Sequence, residues 1–133
     1  MAITELKGFK VSRLQFVNKL ENGTRVELGN KYNYSVNYSN GNVCRGEFSI
    51  EVADKEDPSR FGIQAVVVGI FAFDGTQEKE KIHVATFREL FPYVRALITT
   101  VTANCGIPPV TIPNIDIEGQ NIYRFEKNTG DNE

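Results

Sequence analysis

Apolar and polar residues alternate with a period of two along the first half of the chain, and this pattern predicts β-strands. A first strand carries Phe9, Val11, Leu14 and Phe16. The phase of the alternation slips between Val11 and Leu14, which indicates a β-bulge. A long polar connector over residues 18–30 separates this strand from the next one.

The second and third predicted strands form a hairpin. Residues 32–38 alternate between a face of three tyrosines and a valine and a face of asparagines and a serine. Asn40-Gly41 follows, and this dipeptide is the strongest short-range signal for a hairpin turn in the chain. Phe48, Ile50 and Val52 then mark the apolar face of the third strand.

The fourth predicted strand, over residues 61–73, is apolar on both faces. Such a strand is typical of a central position in a sheet that is covered on both sides. One cover is the helix predicted after it, and the other is either the connector or a second subunit.

Helical spacing replaces the strand alternation after Thr76. Pro92 interrupts this region, because proline removes an intrahelical hydrogen bond and clashes with the preceding turn. The pattern therefore predicts a short turn up to Phe91, a regular helix from Pro92 to Asn104, and a cap at Gly106. The apolar arc spans about 160°, wider than the roughly 100° that one core needs, which indicates contact between subunits. The arc comprises Phe87, Leu90, Phe91, Tyr93, Val94, Leu97, Ile98, Val101 and Cys105.

Length, composition and charge are those of a single globular domain. Of the 133 residues, 41% are hydrophobic and 24% charged, and the formal net charge is −2. No excess of positive charge therefore favours nucleic acid. We expect one domain over residues 1–133, with an ordered core over about residues 6–117 and a polar C-terminal tail. No stretch is typical of a signal peptide or a membrane span, and the two cysteines are predicted to be free thiols, so we expect a cytoplasmic protein.

Residues that carry enzyme chemistry are sparse. His83 is the one histidine and lies in a charged stretch, where a surface position is favoured over a catalytic role. Cys44 and Cys105 lack neighbouring ligands, so no metal site is predicted. No glycine-rich phosphate loop follows a strand. We therefore expect no catalytic residues, no metal and no cofactor, while a small α+β enzyme or a small-molecule-binding protein stays open as an alternative.

Two apolar features point to a binding surface. The tyrosines of the second strand are either core residues or a surface that is alternately wet and covered, because each buried hydroxyl needs a hydrogen-bond partner. Residues 107–117 are apolar, and Pro108, Pro109 and Pro113 remove backbone donors from this segment. The segment either drapes over the core or walls a groove.

Three short motifs follow one another in the second half of the chain: residues 90–95 (LFPYVR), Ile98-Thr99 and residues 106–110 (GIPPV). Together they resemble the SecB family of chaperones, and Gly69-Ile70-Phe71 is similar to that family's fourth strand. The resemblance covers roughly residues 6–117. It implies an α+β fold: a four-stranded antiparallel sheet with a long crossover connection after strand 1, the first strand beside the fourth, and one main helix packed on the sheet.

The same resemblance implies a function and an assembly. It implies an ATP-independent holdase that is linked to protein export and binds unfolded or non-native polypeptides in apolar grooves. It also implies a homotetramer built as a dimer of dimers, with first strands paired between subunits. By position, the groove residues are Tyr32, Tyr34, Val36, Ile107, Val110, Ile112 and Ile115. The helix residues at the oligomer interface are Leu90, Tyr93, Val94, Leu97, Ile98 and Val101.

Two departures from the family pattern bear on partners. The family's second C-terminal helix is shortened over residues 119–127. The acidic residues that dock the SecA motor in export chaperones correspond here to Arg13, Val17 and Gln64, which argues against SecA as a partner. SecB-like proteins that serve an antitoxin in toxin–antitoxin modules need no such patch, so a dedicated antitoxin chaperone is the alternative function.

Overall fold

The computed structural model describes residues 2–21, 24, 26–105 and 110. Along the chain it contains β1 (Thr4–Asn18), β2 (Leu28–Ser39), β3 (Val43–Asp54), β4 (Phe61–Phe73) and α1 (Lys79–Ala103). The strands form one antiparallel sheet in the order β1-β4-β3-β2. This arrangement confirms the predicted α+β fold, including the crossover after β1, which carries the chain from one edge of the sheet to the other.

Strand β1 is irregular in its pairing with β4. The register shifts between Leu6 and Gly8 and again between Val11 and Arg13. The second shift confirms the bulge predicted from the phase slip. A bulge leaves one residue of its strand without a partner opposite. In β1 these residues are Lys7 and Ser12.

Strands β2 and β3 form the predicted hairpin without any interruption of register. Pairing runs from Leu28 opposite Asp54 to Ser39 opposite Val43. In the turn, Gly41 and Asn42 adopt positive φ values of 80° and 58°. Glycine and asparagine are the residues that tolerate this left-handed backbone most readily, which explains why the turn forms at this point of the sequence.

The alternation of side chains divides the sheet into two faces. On the face that we call the helix side, Phe48, Ile63 and Phe71 pack with Leu90 and Val94 of α1, and each of these residues is at most 1% exposed. We call the opposite face the open face, because α1 does not pack on it. Strand β4 lies between β1 and β3, so its predicted central position is confirmed, and α1 is its predicted cover on the helix side; the predicted second cover, on the open face, stays a prediction.

Helix α1 is longer than predicted. It spans Lys79–Ala103 and contains Pro92, so the prediction of a turn followed by a helix starting at Pro92 is wrong. Pro92 is exposed, and water can hydrate the carbonyl that loses its amide partner there. The turns before it bury Phe87 and Phe91 against the sheet, and this packing outweighs the cost of the proline.

No helix in the described part of the chain has the length and apolar character needed to cross a membrane.

A buried carboxylate organises the turn between β3 and β4. The Asp54 side chain is fully buried, and Nε and Nη2 of Arg60 each lie 2.6 Å from its Oδ2. The Glu56 amide donates to the other oxygen at 3.0 Å. Burial alone would raise the pKa of Asp54, but the Glu56 amide and the Arg60 guanidinium hold the pKa below its ordinary value of 3.8.

Candidate functional site

The middle one of the three tyrosines that alternate along β2 is part of the core. Tyr34 is 2% exposed, and its hydroxyl donates to Thr86 Oγ1 at 2.6 Å, which in turn donates to the His83 carbonyl at 3.0 Å. Burial raises the pKa of Tyr34 well above its ordinary range. The prediction that Tyr34 lines an open groove is therefore wrong for this side chain, which joins α1 to the sheet. The predicted need for a hydroxyl partner is met by Thr86.

The flanking residues of the same row remain partly accessible. Tyr32, Val36 and Tyr38 are each half-buried on the helix side of β2, which is an edge strand. The Tyr32 ring stacks on Phe48 with centroids 6.1 Å apart, and burial raises the pKa of Tyr32. The Lys79 ammonium lies 4.8 Å from the centroid of the Tyr38 ring. These three side chains form an apolar row at the rim of the core, and we call them the β2 row.

Of the apolar segment over residues 107–117, the structure describes Val110. The Val110 amide donates to Thr102 Oγ1 at 2.8 Å, and the Thr99 hydroxyl donates to the Val110 carbonyl at 3.0 Å. Val110 is partly buried and packs against the core cluster. The other groove residues predicted in this segment, Ile107, Ile112 and Ile115, lie outside the described residues, as do the predicted cap Gly106 and residues 119–127.

Half of the helix residues predicted at the oligomer interface belong to the core of the subunit. Leu90, Val94 and Ile98 are at most 1% exposed and pack on the helix side of the sheet. For these three, the prediction of an intersubunit contact is wrong, because their side chains pack on the sheet of their own subunit. Tyr93 is 47% exposed, while Leu97 and Val101 are partly buried at the margin of the core.

An exposed apolar patch on β1 was not among the predicted site residues. Phe9, Val11 and Leu14 are each at least 40% exposed, and the Phe9 ring lies 4.5 Å from the ring of Tyr93, measured between centroids. We call these four residues the β1 patch. The sequence predicts one apolar face for this strand, and the register places Phe9, Val11 and Leu14 on that face. The sequence pattern carried no signal for their exposure, because α1 covers only part of the face at the sheet edge.

A carboxylate of α1 anchors the start of the edge strand β1. Glu89 Oε1 accepts the Leu6 amide at 3.0 Å, and its other oxygen accepts the Thr4 hydroxyl. Leu6 stands at the first register shift of β1. Glu89 therefore satisfies a backbone donor at the irregular part of the edge, where the pairing with β4 is interrupted.

The three residues that the resemblance to SecB aligned with the SecA dock share the open face. Arg13 lies opposite Val66, Val17 opposite Gly62, and Gln64 belongs to the neighbouring strand. The Gln64 amide donates to Glu51 Oε2 at 2.9 Å. The structure thus brings these positions together on one surface, and their side chains there are cationic, apolar and neutral.

The residues considered for enzyme chemistry are the histidine and the two cysteines. His83 is half-buried: its ring packs edge to face with Tyr34 at 5.1 Å, and burial lowers the pKa of His83 to about 4. Cys44 is buried, with its pKa raised by burial, and Cys105 is exposed. Among the described residues, no cluster of three or more histidine, cysteine, aspartate or glutamate side chains is arranged to hold a metal ion.

Comparisons with solved structures support this fold. The chain superposes on the SecB-like chaperone Rv1957 of Mycobacterium tuberculosis, solved in complex with a ChAD peptide from the HigA1 antitoxin Rv1956, with a TM-score of 0.67. The superposition covers 84% of this chain and 90% of that one, at 13% sequence identity.

Comparisons of sequence identify the family. The chain is 39% identical to the protein-export protein SecB of Caulobacter vibrioides over 78 residues, which cover 56% of this chain and 47% of that protein. An uncharacterized protein of Methanocaldococcus jannaschii is 67% identical over 30 residues, or 23% of this chain and 19% of that protein. The chain thus spans about half the length, or less, of the curated relatives that it matches. The family model described as preprotein translocase subunit SecB matches residues 21–129, and the chain therefore belongs to the SecB family.

Proposed function

We propose that this protein is an ATP-independent holdase that binds unfolded or non-native polypeptides on apolar surface, linked to protein export, in the cytoplasm. Membership of the SecB family supports the class of function. The observation that carries the proposal is the β2 row, since Tyr32, Val36 and Tyr38 stay half-accessible along one edge of a folded sheet. No catalytic step is part of the mechanism.

The mechanism is burial of apolar client side chains without any chemical reaction. Each Å² of apolar surface removed from water contributes roughly 25 cal/mol, and ordering of the client opposes part of this gain. The aromatic and aliphatic side chains of the β2 row accept many client sequences, because contact of this kind is not directional. Folded proteins hide the segments that would bind, so the surface selects chains that fold slowly. In the proposed groove, Ile107, Val110, Ile112 and Ile115 form the second wall.

We also propose a homotetramer, a dimer of dimers, in which the β1 patch and Leu97 and Val101 contact other subunits. An edge strand offers unpaired backbone groups to a second chain. The patch Phe9, Val11, Leu14 and Tyr93 adds apolar surface beside that edge. Several grooves on one assembly would raise the effective concentration of binding sites for one client chain.

The test of the holdase proposal is isothermal titration with a chemically unfolded polypeptide. Tyr32→Asp and Val36→Asp should each weaken binding about tenfold, because a charge placed on an apolar contact must lose its hydration on binding. The matched controls are Asn33→Asp and Ser35→Asp, which place the same charge on the open face of the same strand. Equal binding by all four variants would move the client site away from the β2 row. Sedimentation of the wild type should give about four times the chain mass of 14.9 kDa.

A dedicated antitoxin chaperone is the second candidate. Its support is the structural similarity to Rv1957, a SecB-like chaperone that was solved with an antitoxin peptide. The absence of acidic side chains at Arg13, Val17 and Gln64 is consistent with a role that does not involve SecA. Binding of one antitoxin extension, with no measurable binding of unrelated unfolded proteins, would favour this narrower function over the general one.

A further inference from the structure

A second group of exposed apolar residues lies on the open face, away from the β1 patch. Val17, Val43 and Ile70 are 42%, 37% and 40% exposed. Val43 pairs with Ala72, so Ile70 is its diagonal neighbour. Val66 and Val68 continue the row of Ile70 along β4, and we call these three residues the stripe; Ile70 is exposed, Val66 is half-buried and Val68 is 4% exposed. Exposed apolar side chains on an open sheet face are typical of an interaction surface.

Cationic side chains border this stripe. On β1, Lys10 pairs with Val68 and Arg13 pairs with Val66, so both cations stand directly beside the apolar row. Lys31 lies on β2, at the other side of the open face. None of these three forms an ion pair with a described carboxylate. The Arg13 guanidinium instead donates to the amide oxygen of Gln15 at 3.1 Å.

The carboxylates of the same face are already engaged. Glu47 accepts from Arg45 Nη1 at 3.1 Å, and Glu51 accepts from the Gln64 amide at 2.9 Å. Between the two groups of cations lies a shallow depression of about 310 Å³. Its lining residues include Arg13, Lys31, Asn33, Ser49, Glu51 and Gln64. Positive charge is therefore available at Lys10 and Arg13 on the border of the stripe, while Glu47 is paired with Arg45 and Glu51 stands opposite Lys31.

We propose that the open face of the sheet is a docking surface for an acidic polypeptide segment that carries apolar side chains. The apolar side chains of such a segment would bury Val43, Ile70 and the accessible part of Val66, and its carboxylates would meet Lys10 and Arg13. Complementary charge of this kind mainly accelerates association and selects the partner, while burial of the stripe supplies affinity.

A polypeptide fits this surface better than a polyanion does. Nucleic-acid surfaces are broadly basic, since affinity comes from many phosphate contacts. Here Glu47 and Glu51 stand among the cations, and the centre of the face is apolar. The formal net charge of the chain is −2. A mixed border around an apolar stripe is the pattern that an acidic, partly apolar segment complements.

The proposed surface is separate from the client site. The β2 row lies on the helix side, whereas the stripe lies on the open face, so both surfaces can be occupied at once. The inference therefore does not depend on the holdase proposal, and either one can fail alone.

The experiment measures the fluorescence anisotropy of a short labelled peptide of alternating Glu, Leu and Ser residues. A second peptide, in which Lys replaces Glu, is measured for comparison. The wild type should bind the acidic peptide, more weakly at high salt, and should bind the basic one at least about tenfold less tightly. The double variant Lys10→Glu with Arg13→Glu should lose this preference. The matched control is Lys81→Glu with Arg88→Glu, which makes the same charge change at exposed positions of α1 and should bind like the wild type.

A second variant, Ile70→Asp, tests the apolar part of the surface and should weaken binding of the acidic peptide about tenfold. Circular dichroism of each variant serves as the folding control, since these exposed substitutions should leave the spectrum and the melting temperature unchanged. Equal binding of both peptides, or full binding by the Lys10 and Arg13 double variant, would overturn the proposal. So would tighter, Lys10- and Arg13-dependent binding of single-stranded DNA or of anionic lipid vesicles.

Discussion

The contact between Gly46 and Tyr34 offers a direct test of how the helix is joined to the sheet. A methyl group at Gly46 would collide with the Tyr34 hydroxyl oxygen and would lie 3.1 Å from both Tyr34 Cζ and Phe71 Cε2. The Tyr34 hydroxyl is fixed by its hydrogen bond to Thr86 at 2.6 Å. We therefore expect Gly46→Ala to destabilise the protein, because the ring cannot retreat without losing this bond.

The magnitudes follow from the two effects. Overpacking a close-packed core costs typically about 1–3 kcal/mol. Tyr34→Phe removes one buried hydrogen bond, worth about 0.5–1.5 kcal/mol net, and leaves Thr86 bonded to the His83 carbonyl. In the Phe background the colliding oxygen is gone, so Gly46→Ala should cost about 1 kcal/mol or less. The double variant should therefore be more stable than additivity predicts, by about 1–2 kcal/mol.

The assay is urea unfolding of the wild type, both single variants and the double variant, followed by circular dichroism. All four must be compared at one protomer concentration, because an oligomer gains apparent stability with concentration. Gly8→Ala is the matched control, since a Cβ at Gly8 meets no atom within 4 Å and should not couple to Tyr34→Phe. Additivity within about 0.5 kcal/mol at Gly46 would refute the buried position of Tyr34 and return its ring to the accessible surface.

Three further predictions concern single polar groups. Glu89→Gln should weaken the anchor of β1, so amide hydrogen exchange at Leu6 should accelerate about tenfold while exchange in β3 stays unchanged. A uniform acceleration in both strands would mean global destabilisation instead. Because burial lowers the pKa of His83 from 6.5 to about 4, its stabilising contribution is complete above pH 6.5 and declines as the pH falls towards 4. Thermal melts of His83→Phe should be flatter than those of the wild type across that window, and equal slopes would contradict the buried imidazole. The lowered pKa of Asp54 gives a stabilisation that is present above pH 3.8 and is lost as the pH falls through the lower folded value. Asp54→Asn should therefore be less stable than the wild type at neutral pH, with the difference shrinking below pH 3.8; a constant difference down to strong acid would be evidence against this reasoning.

The elements of the sheet were predictable because their signals are local. The alternation of residues 32–38, the Asn40-Gly41 turn and the doubly apolar β4 each report a strand and its environment within a few positions. The bulge in β1 was visible as a slip of phase. The pairing of β1 with β4 was implied only by the resemblance to SecB, since alternation does not identify a neighbour so distant in the sequence.

The helix and the site were less predictable, for physical reasons. Pro92 is unfavourable in an isolated helix, and only the burial of Phe87 and Phe91 on the sheet makes the longer helix favourable, which is a tertiary effect. The tyrosine row of β2 has one periodicity but two environments, because α1 covers Tyr34 more completely than its neighbours. Whether Leu90 faces the subunit's own sheet or a partner is likewise set by packing and not by pattern.

The order of the strands has a consequence for how the protein is made. Leu6 pairs with Phe71, so β1 leaves the ribosome long before its partner β4 exists. At about 5–20 residues per second, the intervening stretch takes several seconds to synthesise, during which β1 has no sheet to join. The hairpin of β2 and β3 can form within microseconds in that interval. A nascent copy of this protein therefore displays Phe9, Val11 and Leu14 to the cell as an unpaired apolar strand, and so resembles, for a few seconds, the kind of chain that finished copies are proposed to hold.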